Sequence, residues 1–311
     1  MRILEQGLGA VTTPPRAAVV TIGNFDGVHR GHRSIFALVV REARSQGGTP
    51  VLLTFKPHPT KVLTPGHAPP MISTREQRYA LFEDAGIELV IVHPFTREFS
   101  HTPAEHFVRE ILVPRLAPRA VIIGLPFRFG HNRAGDVDLL ARLGRDLGFR
   151  AEGVGEVDID GQTISSTRIR RAILLGRIED GNRMLGRPFE VLGRVVPGDA
   201  RGKKLSFPTA NLEVENELLP ADGVYVTRLR LGERQVGSVT NIGVRPTFEG
   251  SGRVVETHVL DLHEDLYGRQ VTLSFLERLR GEMKFPSADA LVEQIRRDVA
   301  RARDVLGRSA G

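Results

Sequence analysis

Four short apolar runs in the first half of the chain have no alternating polar face, which is typical of strands covered on both sides of a sheet. They span residues 17–23, 50–55, 88–93 and 119–124. The stretch 31–46 between the first two has helical periodicity. Its apolar face carries Ile35, Phe36, Val39, Val40 and Ala43. Strands that alternate with helices predict a parallel sheet with helices on both faces.

Start signals predict two further helices in this half. Ser73 is followed three residues later by Glu76, the spacing of a capping box. Thr102 and Glu105 repeat that spacing, with Pro103 at the first helical position. A last helix is predicted over residues 136–147.

From residue 189 onward the pattern changes to short β-prone runs separated by Gly, Pro, Asp and Asn. The runs span residues 190–196, 223–231, 235–242, 254–262 and 270–276. Such spacing is typical of an antiparallel barrel or sandwich. An amphipathic helix over residues 288–306 ends the chain. We therefore predict two domains, 1–187 and 188–311, with α/β and β architecture respectively.

The composition excludes several kinds of site. The 311 residues include no Cys, so there are no disulfides, thiolate zinc sites or Cys nucleophiles. The N-terminal residues do not resemble a signal peptide, and no apolar run is long enough to span a bilayer. We expect a cytoplasmic protein with no membrane partner. The sequence leaves its oligomeric state open.

The positive charge requires a choice between partners. The formal net charge is +6 and the pI is about 10.1, which suits either a nucleic acid or a small anionic substrate. A nucleic-acid binder would combine a basic face with aromatic stacking platforms. Only three Tyr, no Trp and scattered Arg are present. We therefore expect no nucleic-acid partner.

A glycine-rich turn follows the first predicted strand. Its sequence is Gly23-Asn24-Phe25-Asp26-Gly27-Val28-His29-Arg30-Gly31-His32. Glycine permits close backbone approach to a ligand, and the N–H groups of the helix that starts near Gly31 face any bound anion. Zinc would require a third ligand beside His29 and His32. Imidazole groups suit a phosphate, so we predict a phosphate site.

A second anion motif is Ile164-Ser165-Ser166-Thr167-Arg168-Ile169-Arg170. Ser165 and Ser166 precede a predicted helix, where hydroxyls and free N–H groups converge. The Arg168 guanidinium adds a planar fork for phosphate oxygens. A simple helix cap is the alternative interpretation. Beside the histidine turn, we favour triphosphate binding.

The second predicted domain begins with a loop that contains Gly198, Gly202 and Lys203 and ends in Phe207-Pro208-Thr209-Ala210-Asn211. The glycine spacing is too short for a Walker A loop, and no Ser or Thr follows the lysine. A β-turn is the generic alternative. The Thr209 hydroxyl and the Asn211 amide oxygen are suitable hard ligands for Mg²⁺.

These motifs together resemble the bacterial bifunctional riboflavin kinase/FAD synthetase family. His-x-Gly-His alone is similar to the nucleotidylyltransferase superfamily, whereas the ten-residue turn is far more specific. Further similar segments are Thr54–Pro59, Gly124–Gly130, Ile164–Arg170, Phe207–Asn211, Asn241–Phe248, Glu256–Asp261, Leu266–Gly268 and Leu279–Phe285. The resemblance covers nearly the whole chain. It implies a Rossmann-like nucleotidylyltransferase domain followed by a riboflavin kinase barrel.

The resemblance implies that the first domain transfers AMP from ATP to FMN. His29, His32 and Arg168 would be catalytic. The nucleotide and its phosphates would contact Gly23, Asn24, Phe25, Gly31, Ser165, Ser166 and Thr167. The flavin would contact His58, Phe127 and Arg128. The family has Asp or Asn where this chain has Pro126, so a riboflavin kinase with impaired adenylylation is an alternative.

For the second domain the resemblance implies phosphorylation of riboflavin to FMN by ATP. Glu256 matches the proposed base, and a carboxylate can accept the proton of the attacking hydroxyl. Thr209 and Asn211 would bind Mg²⁺ and phosphate, assisted by Gly198 and Lys203. Arg280 and Phe285 would contact the flavin. Transfer of AMP to phosphopantetheine or nicotinate mononucleotide would be another activity of such a first domain, but the kinase-like second domain disfavours it.

Overall fold

The computed structural model describes residues 1–198, 207–247, 250–262 and 264–308. The chain divides into two compact units. Unit 1 comprises Met1–Pro69 and Arg75–Ser165, and unit 2 comprises Pro70–Thr74 and Ser166–Gly311. The domain boundary at residue 187 stays a prediction. No helix within the described ranges is long and apolar enough to cross a membrane.

Unit 1 is built on a six-stranded parallel sheet, which confirms the predicted α/β architecture. Its strands are β1 (Arg2–Leu4), β2 (Val19–Ile22), β3 (Pro50–Lys56), β4 (Leu89–Pro94), β5 (Ala120–Gly124) and β6 (Arg150–Val154). Their spatial order is β1-β4-β3-β2-β5-β6. The sequence pattern predicts the four inner strands. It misses the edges because β1 has only three residues and β6 begins with an exposed arginine.

The helices of unit 1 connect these strands. They are α1 (Arg30–Ser45), α2 (Pro59–Leu63), α3 (Arg75–Asp84), α4 (Ala104–His106), α5 (Val113–Leu116) and α6 (Val137–Leu147). A π-helical turn, Phe107–Leu112, links α4 to α5. A small hairpin, β7 (Asp158–Ile159) and β8 (Gln162–Thr163), follows β6.

The sheet separates two apolar cores, because successive strand residues point to opposite faces. On β3, Val51 and Leu53 lie in one core with Leu112 and Leu140, whereas Leu52 lies in the other with Phe36. The continuous apolar runs of the sequence are therefore the inner strands, buried on both faces.

One predicted helix start is wrong. Pro103, not Thr102, is the N-cap of α4, and no side chain caps this helix. The Thr102 carbonyl instead accepts a hydrogen bond from the His131 backbone N–H at 2.8 Å. The loop that contains His131 therefore holds Thr102 in an extended conformation, so the capping box does not form.

Unit 2 contains a closed six-stranded antiparallel barrel, which decides between the barrel and the sandwich. Two helices precede it, α7 (Ser166–Leu174) and α8 (Ile178–Leu185). The strands are β9 (Phe189–Val196), β10 (Ala210–Val214), β11 (Gly223–Leu231), β12 (Arg234–Thr247), β13 (Gly250–Val259) and β14 (Gln270–Arg280), followed by α9 (Ala288–Arg308). The barrel order is β10-β13-β12-β11-β14-β9.

The two faces of the barrel differ in chemistry. Four buried hydroxyls form a chain inside it: Ser238 and Thr240 each lie 2.7 Å from Thr227, and Thr240 donates to Thr257 at 3.0 Å. The outer face of β11 and β12 is apolar and packs against Ala302 and Val305 of α9. Helix α9 thus covers one side of the barrel, next to the site described below.

Candidate functional sites

The histidine turn lies at the topological switch point of the unit 1 sheet. From β2 the chain moves outward to β3 and β4, then returns to β5 on the other side of β2. Parallel α/β sheets bind ligands outside the carboxyl ends of the strands at such a point. Gly23–His32 follows β2, and Leu125–Gly130 follows β5. Both predicted motifs are therefore at the expected edge.

The backbone of the turn is tightly constrained. Phe25 and Val28 have φ angles of 48° and 42°, which is unusual for a bulky aromatic and a β-branched residue. Both side chains are buried. A Cβ at Gly23 would lie 2.8 Å from the Phe25 ring, and one at Gly31 would lie 3.3 Å from the His29 ring. The glycines thus allow the close packing that fixes the histidines.

His29 and His32 lie together at the start of α1. The His29 imidazole caps the helix by accepting the His32 backbone N–H at 3.4 Å. The two rings stack with centroids 3.6 Å apart, and the Phe25 ring meets His32 edge-on at 5.2 Å. His29 is 6% exposed. Imidazole groups held at a helix N-terminus can donate hydrogen bonds to phosphate oxygens.

An aromatic cavity of about 440 Å³ opens beside this turn, bordered by Asn24. It is lined by three of the predicted flavin contacts, His58, Phe127 and Arg128. The phenylalanines of its wall are Phe55, Phe95, Phe99, Phe107, Phe127 and Phe129. Phe127 and Phe129 stack at 6.1 Å with an interplanar angle of 17°. Such walls suit a planar aromatic ligand.

The turn after β5 includes the departure at Pro126. Gly124 and Phe127 close the turn through a 2.9 Å backbone hydrogen bond. The Arg128 guanidinium donates to the carbonyls of Leu125 and Phe127 at 2.9 and 3.0 Å. Pro126 is exposed within this turn, so its lack of an N–H group breaks no hydrogen bond between strands. The fold of the motif is therefore compatible with proline.

The serine motif lies where the two units divide. Ser165 is the last residue of unit 1 in this segment, and Ser166 is the first residue of α7 in unit 2. Thr167 and Arg168 lie in the first turn of α7. Ser166 is thus inside the helix rather than before it, and the positive end of the helix dipole remains the feature of this turn that suits an anion.

In unit 2 the barrel register brings three polar residues into one row. Asn211 of β10 pairs with Glu256 of β13, which pairs in turn with Asn241 of β12. Directly paired residues point to the same face of a sheet. Asn241 follows Val239 by two residues, so the row lies on the outer face that α9 partly covers. The sequence motifs gave no signal of this alignment.

Gly198 and Asn211 are in close contact. A Cβ at Gly198 would overlap the Asn211 side-chain amide, so a larger residue there would displace that amide. Asn211 is 9% exposed, and Thr209 is exposed two residues earlier. Lys203, predicted to assist phosphate binding, lies outside the described residues.

A second cavity of about 600 Å³ lies between the outer face of the barrel and α9. Its polar wall includes Thr209, Asn241 and Glu256. Its apolar wall is formed by Val224, Val239, Phe285, Leu291, Ile295 and Val299. Both predicted flavin contacts of this unit, Arg280 and Phe285, line it. The barrel therefore gathers Thr209, Glu256, Arg280 and Phe285 around one space.

Arg280 is held by a buried ion pair at this cavity. Its guanidinium donates to Asp298 at 2.9–3.3 Å, and it lies 5.7 Å from the centre of the Phe285 ring. Gln294 donates to the same carboxylate at 2.9 Å. Sequence reasoning missed Asp298. The feature of the sequence that could have indicated Asp298 is a carboxylate on the apolar stripe of the last helix, on the same face as Leu291 and Ala302.

Comparison with known proteins identifies the family of each half. Residues 11–168 match the FAD synthetase family, and residues 185–306 match the riboflavin kinase family. The bifunctional riboflavin kinase/FMN adenylyltransferase of Escherichia coli K12 is 36% identical over 295 residues, with 94% of each chain covered. The enzyme of the same description from Pseudomonas fluorescens is 37% identical over 308 residues, with 99% of each chain covered.

A solved structure shows the same fold. The crystal structure of a protein described as a macrolide-efflux protein from Streptococcus pneumoniae matches with a TM-score of 0.88 and 29% identity. The match covers 97% of this chain and 98% of that one. Together with the two family matches and the near full-length relatives, the fold agrees with the resemblance found in the motifs. The chain belongs to the family of bifunctional riboflavin kinase/FMN adenylyltransferases.

Proposed function

We propose that unit 2 phosphorylates riboflavin to FMN and that unit 1 adenylylates FMN to FAD, with one ATP used in each step. The observation that carries this proposal is a cavity in each unit: Asn24 of the histidine turn borders the cavity of unit 1, and Thr209 and Glu256 line the cavity of unit 2. Volumes of about 440 and 600 Å³ lie in the usual range for small-ligand sites. Each cavity combines apolar or aromatic walls with polar groups, which suits an aromatic ring system that carries a polar chain.

In unit 1 an oxygen of the FMN phosphate attacks the α-phosphorus of ATP. The bond from that phosphorus to the bridging oxygen breaks, and pyrophosphate leaves. His29 and His32 donate hydrogen bonds as charge develops on the α-phosphate, assisted by the N-terminus of α1. Arg168 and the hydroxyls of Ser165 and Thr167 are the β- and γ-phosphate contacts that the resemblance to the family implies. Gly23, Asn24, Phe25, Gly31 and Ser166 complete the proposed nucleotide contacts.

The isoalloxazine ring of FMN occupies the aromatic cavity in this proposal. Phe127 provides a stacking face, and His58 and Arg128 provide polar groups at the wall. Stacking holds the isoalloxazine ring in the same way before and after the phosphate reacts. The bound ring can therefore position the FMN phosphate for attack.

In unit 2 the 5′-hydroxyl of riboflavin attacks the γ-phosphorus of ATP, and ADP leaves. Glu256 accepts the hydroxyl proton as the new bond forms. The apolar wall of the cavity holds the flavin ring near Arg280 and Phe285. Gly198 and Lys203 belong to the proposed phosphate loop.

Mg²⁺ is the proposed metal in both steps. In unit 2 the residues fit it, because Thr209 and Asn211 supply hard oxygen donors two residues apart, beside Glu256. When bound, the ion would neutralise charge on the triphosphate. Among the described residues there is no cluster of three or more His, Cys, Asp or Glu that suits a metal. The ion would therefore depend mainly on phosphate oxygens and water.

Two incubations of the intact chain test the proposal. Riboflavin with ATP and Mg²⁺ should give FMN and then FAD, and FMN with ATP and Mg²⁺ should give FAD and pyrophosphate. A chelator should stop both. If FMN yields no FAD at any enzyme concentration, the adenylyltransferase half is wrong and Pro126 becomes its leading explanation. If riboflavin yields no FMN, the kinase half is wrong.

A further inference from the structure

The segment after β14 places a carboxylate over the barrel next to the proposed kinase site. Glu282 lines the cavity of unit 2 together with Asn241 and Glu256. Its carboxylate lies so close to β12 that a Cβ at Gly243 would overlap Oε1. The same Cβ would lie 3.6 Å from Nδ2 of Asn241. Gly243 thus provides the space in which Glu282 reaches the Asn241–Glu256 row.

The polar groups that line this cavity differ in how many hydrogen bonds they make to other protein groups. Arg280, Asp298 and Gln294 bond to one another, so their hydrogen-bonding groups are largely used. In contrast, neither Glu282 nor Asn241 makes a side-chain hydrogen bond or ion pair within the described part of the chain. Both side chains are exposed, so water solvates them in the free protein and a ligand in the cavity can replace that water.

The position of Glu282 relative to Glu256 indicates which part of a flavin it would contact. The aliphatic side chains and Phe285 form the wall for the ring, whereas Glu256 must approach the 5′-hydroxyl at the far end of the ribityl chain. Glu282 is near Gly243, two residues along β12 from the partner of Glu256. Glu282, Glu256 and the apolar wall line the same cavity, so a polyol that joins a ring on that wall to a hydroxyl at Glu256 would come within reach of Glu282.

We propose that Glu282 is a specificity-determining residue that accepts hydrogen bonds from the ribityl hydroxyls of riboflavin. This inference rests on the proposed kinase function of unit 2. An ionised carboxylate only accepts hydrogen bonds, and the secondary hydroxyls of a ribityl chain are donors that a flavin without the chain lacks. Riboflavin therefore gains hydrogen bonds at this carboxylate that such an analogue cannot make.

Binding of two flavins separates this role from a structural one. Lumiflavin has the same ring with a methyl group in place of the ribityl chain. Glu282→Gln should raise the Kd of riboflavin in unit 2 about tenfold, the loss expected for a charge-assisted hydrogen bond, and should leave the Kd of lumiflavin unchanged. Because unit 1 has its own flavin cavity, the KM for riboflavin in FMN formation is measured alongside.

Controls come from the same chain. Glu293→Gln removes a carboxylate from the exposed face of α9, where Glu293 pairs with Arg297, and should change neither Kd. Gly243→Ala should displace the Glu282 carboxylate and weaken riboflavin binding to a similar degree. The double variant Glu282→Gln/Gly243→Ala should lose little more than either alone, since the two changes remove the same interaction.

Three outcomes would overturn the inference: an unchanged Kd for riboflavin, equal weakening for both flavins, or additive losses in the double variant. Unchanged binding of lumiflavin reports that the cavity of unit 2 is folded, and FAD formation from FMN reports the same for unit 1. If the wild-type chain makes no FMN from riboflavin, the proposed function fails first. If it does and Glu282→Gln behaves as wild type, only the role of Glu282 is wrong.

Discussion

The imidazole rings of His29 and His32 stack at a centroid distance of 3.6 Å, and the His29 ring also caps the helix on which His32 lies. The His29 side chain therefore has two roles. It caps the N-terminus of α1, and its ring is part of the proposed phosphate site. A variant that keeps the cap but removes the imidazole separates them.

His29→Asn is that variant, because asparagine is among the best N-cap residues. We expect it to retain the stability of the chain but to lower the rate of FAD formation from FMN about 100- to 1000-fold, the loss typical of a donor to developing charge. FMN formation from riboflavin should be unchanged. His29→Ala, which also loses the cap, should cost about 1 kcal/mol of stability in addition. Equal FAD rates in His29→Asn and wild type would contradict the assignment.

The complementary prediction concerns Glu256. Glu256→Gln keeps the shape of the side chain and its row with Asn211 and Asn241 but removes the proton acceptor. FMN formation should fall about 100- to 10,000-fold, with little change in the KM for riboflavin, whereas FAD formation from FMN should be unaffected. Chromatography of both reactions measures this. A normal kinase rate would remove Glu256 from the mechanism.

These sites show what the sequence could predict. Contiguous motifs indicated His29, His32, Thr209 and Glu256 as candidate site residues, because each motif carries a turn or strand with its own chemistry. Phe127 and Arg128 were likewise indicated by one contiguous motif, and both line the aromatic cavity. What the motifs could not provide is the register that aligns Asn211, Glu256 and Asn241, since strand pairing joins residues about 15 to 45 positions apart in the chain.

Other features depended on packing rather than on local pattern. Thr102 and Glu105 have the spacing of a capping box, but the hydrogen bond from His131 to Thr102 prevents it. Asp298 was predicted only as part of an amphipathic helix. Its pairing with Arg280 requires the end of β14 to lie against α9, which no periodicity reveals. Competition from distant partners, rather than weak local signals, explains both misses.

Phe127 is expected to contribute to FMN binding. It lines the aromatic cavity and stacks on Phe129. Phe127→Ala should raise the KM for FMN about tenfold, the scale of one base–aromatic stacking contact, with little change in the KM for riboflavin in the kinase reaction. Phe127→Tyr should behave as wild type, since it keeps the stacking face. A uniform loss in both reactions would instead indicate a folding defect.

The ion pair between Arg280 and Asp298 should stabilise unit 2. The side chains are 17% and 7% exposed, so removal of one charge leaves the other poorly solvated. Asp298→Asn should lower the free energy of unfolding by about 3 kcal/mol. Asp304→Asn, on the exposed face of the same helix, should change it by less than about 0.5 kcal/mol. Urea denaturation followed by circular dichroism, with hydrogen exchange of β14 and α9, measures the difference. Equal stabilities would contradict a stabilising pair.

His93 should make the stability of unit 1 sensitive to acid. Burial lowers the pKa of its imidazole below the usual 6.5, and its Nδ1 accepts the Leu8 backbone N–H at 3.1 Å. The neutral ring is therefore favoured in the folded state. Because the unfolded chain binds this proton more readily, the contribution of His93 is present above pH 6.5 and is lost as the pH falls from there toward its lowered pKa.

The variant His93→Asn keeps an acceptor near the position of Nδ1 but does not titrate. Its free energy of unfolding should be lower than that of wild type at pH 8, because a ring that packs against Phe99 is lost. Between pH 6.5 and 5 it should depend less on pH than wild type, by up to about 1.4 kcal/mol per pH unit, the limit for one proton. Urea denaturation at three pH values gives both slopes. Parallel slopes would show that the protonation of His93 is not linked to folding, because the remaining titratable groups are common to both chains.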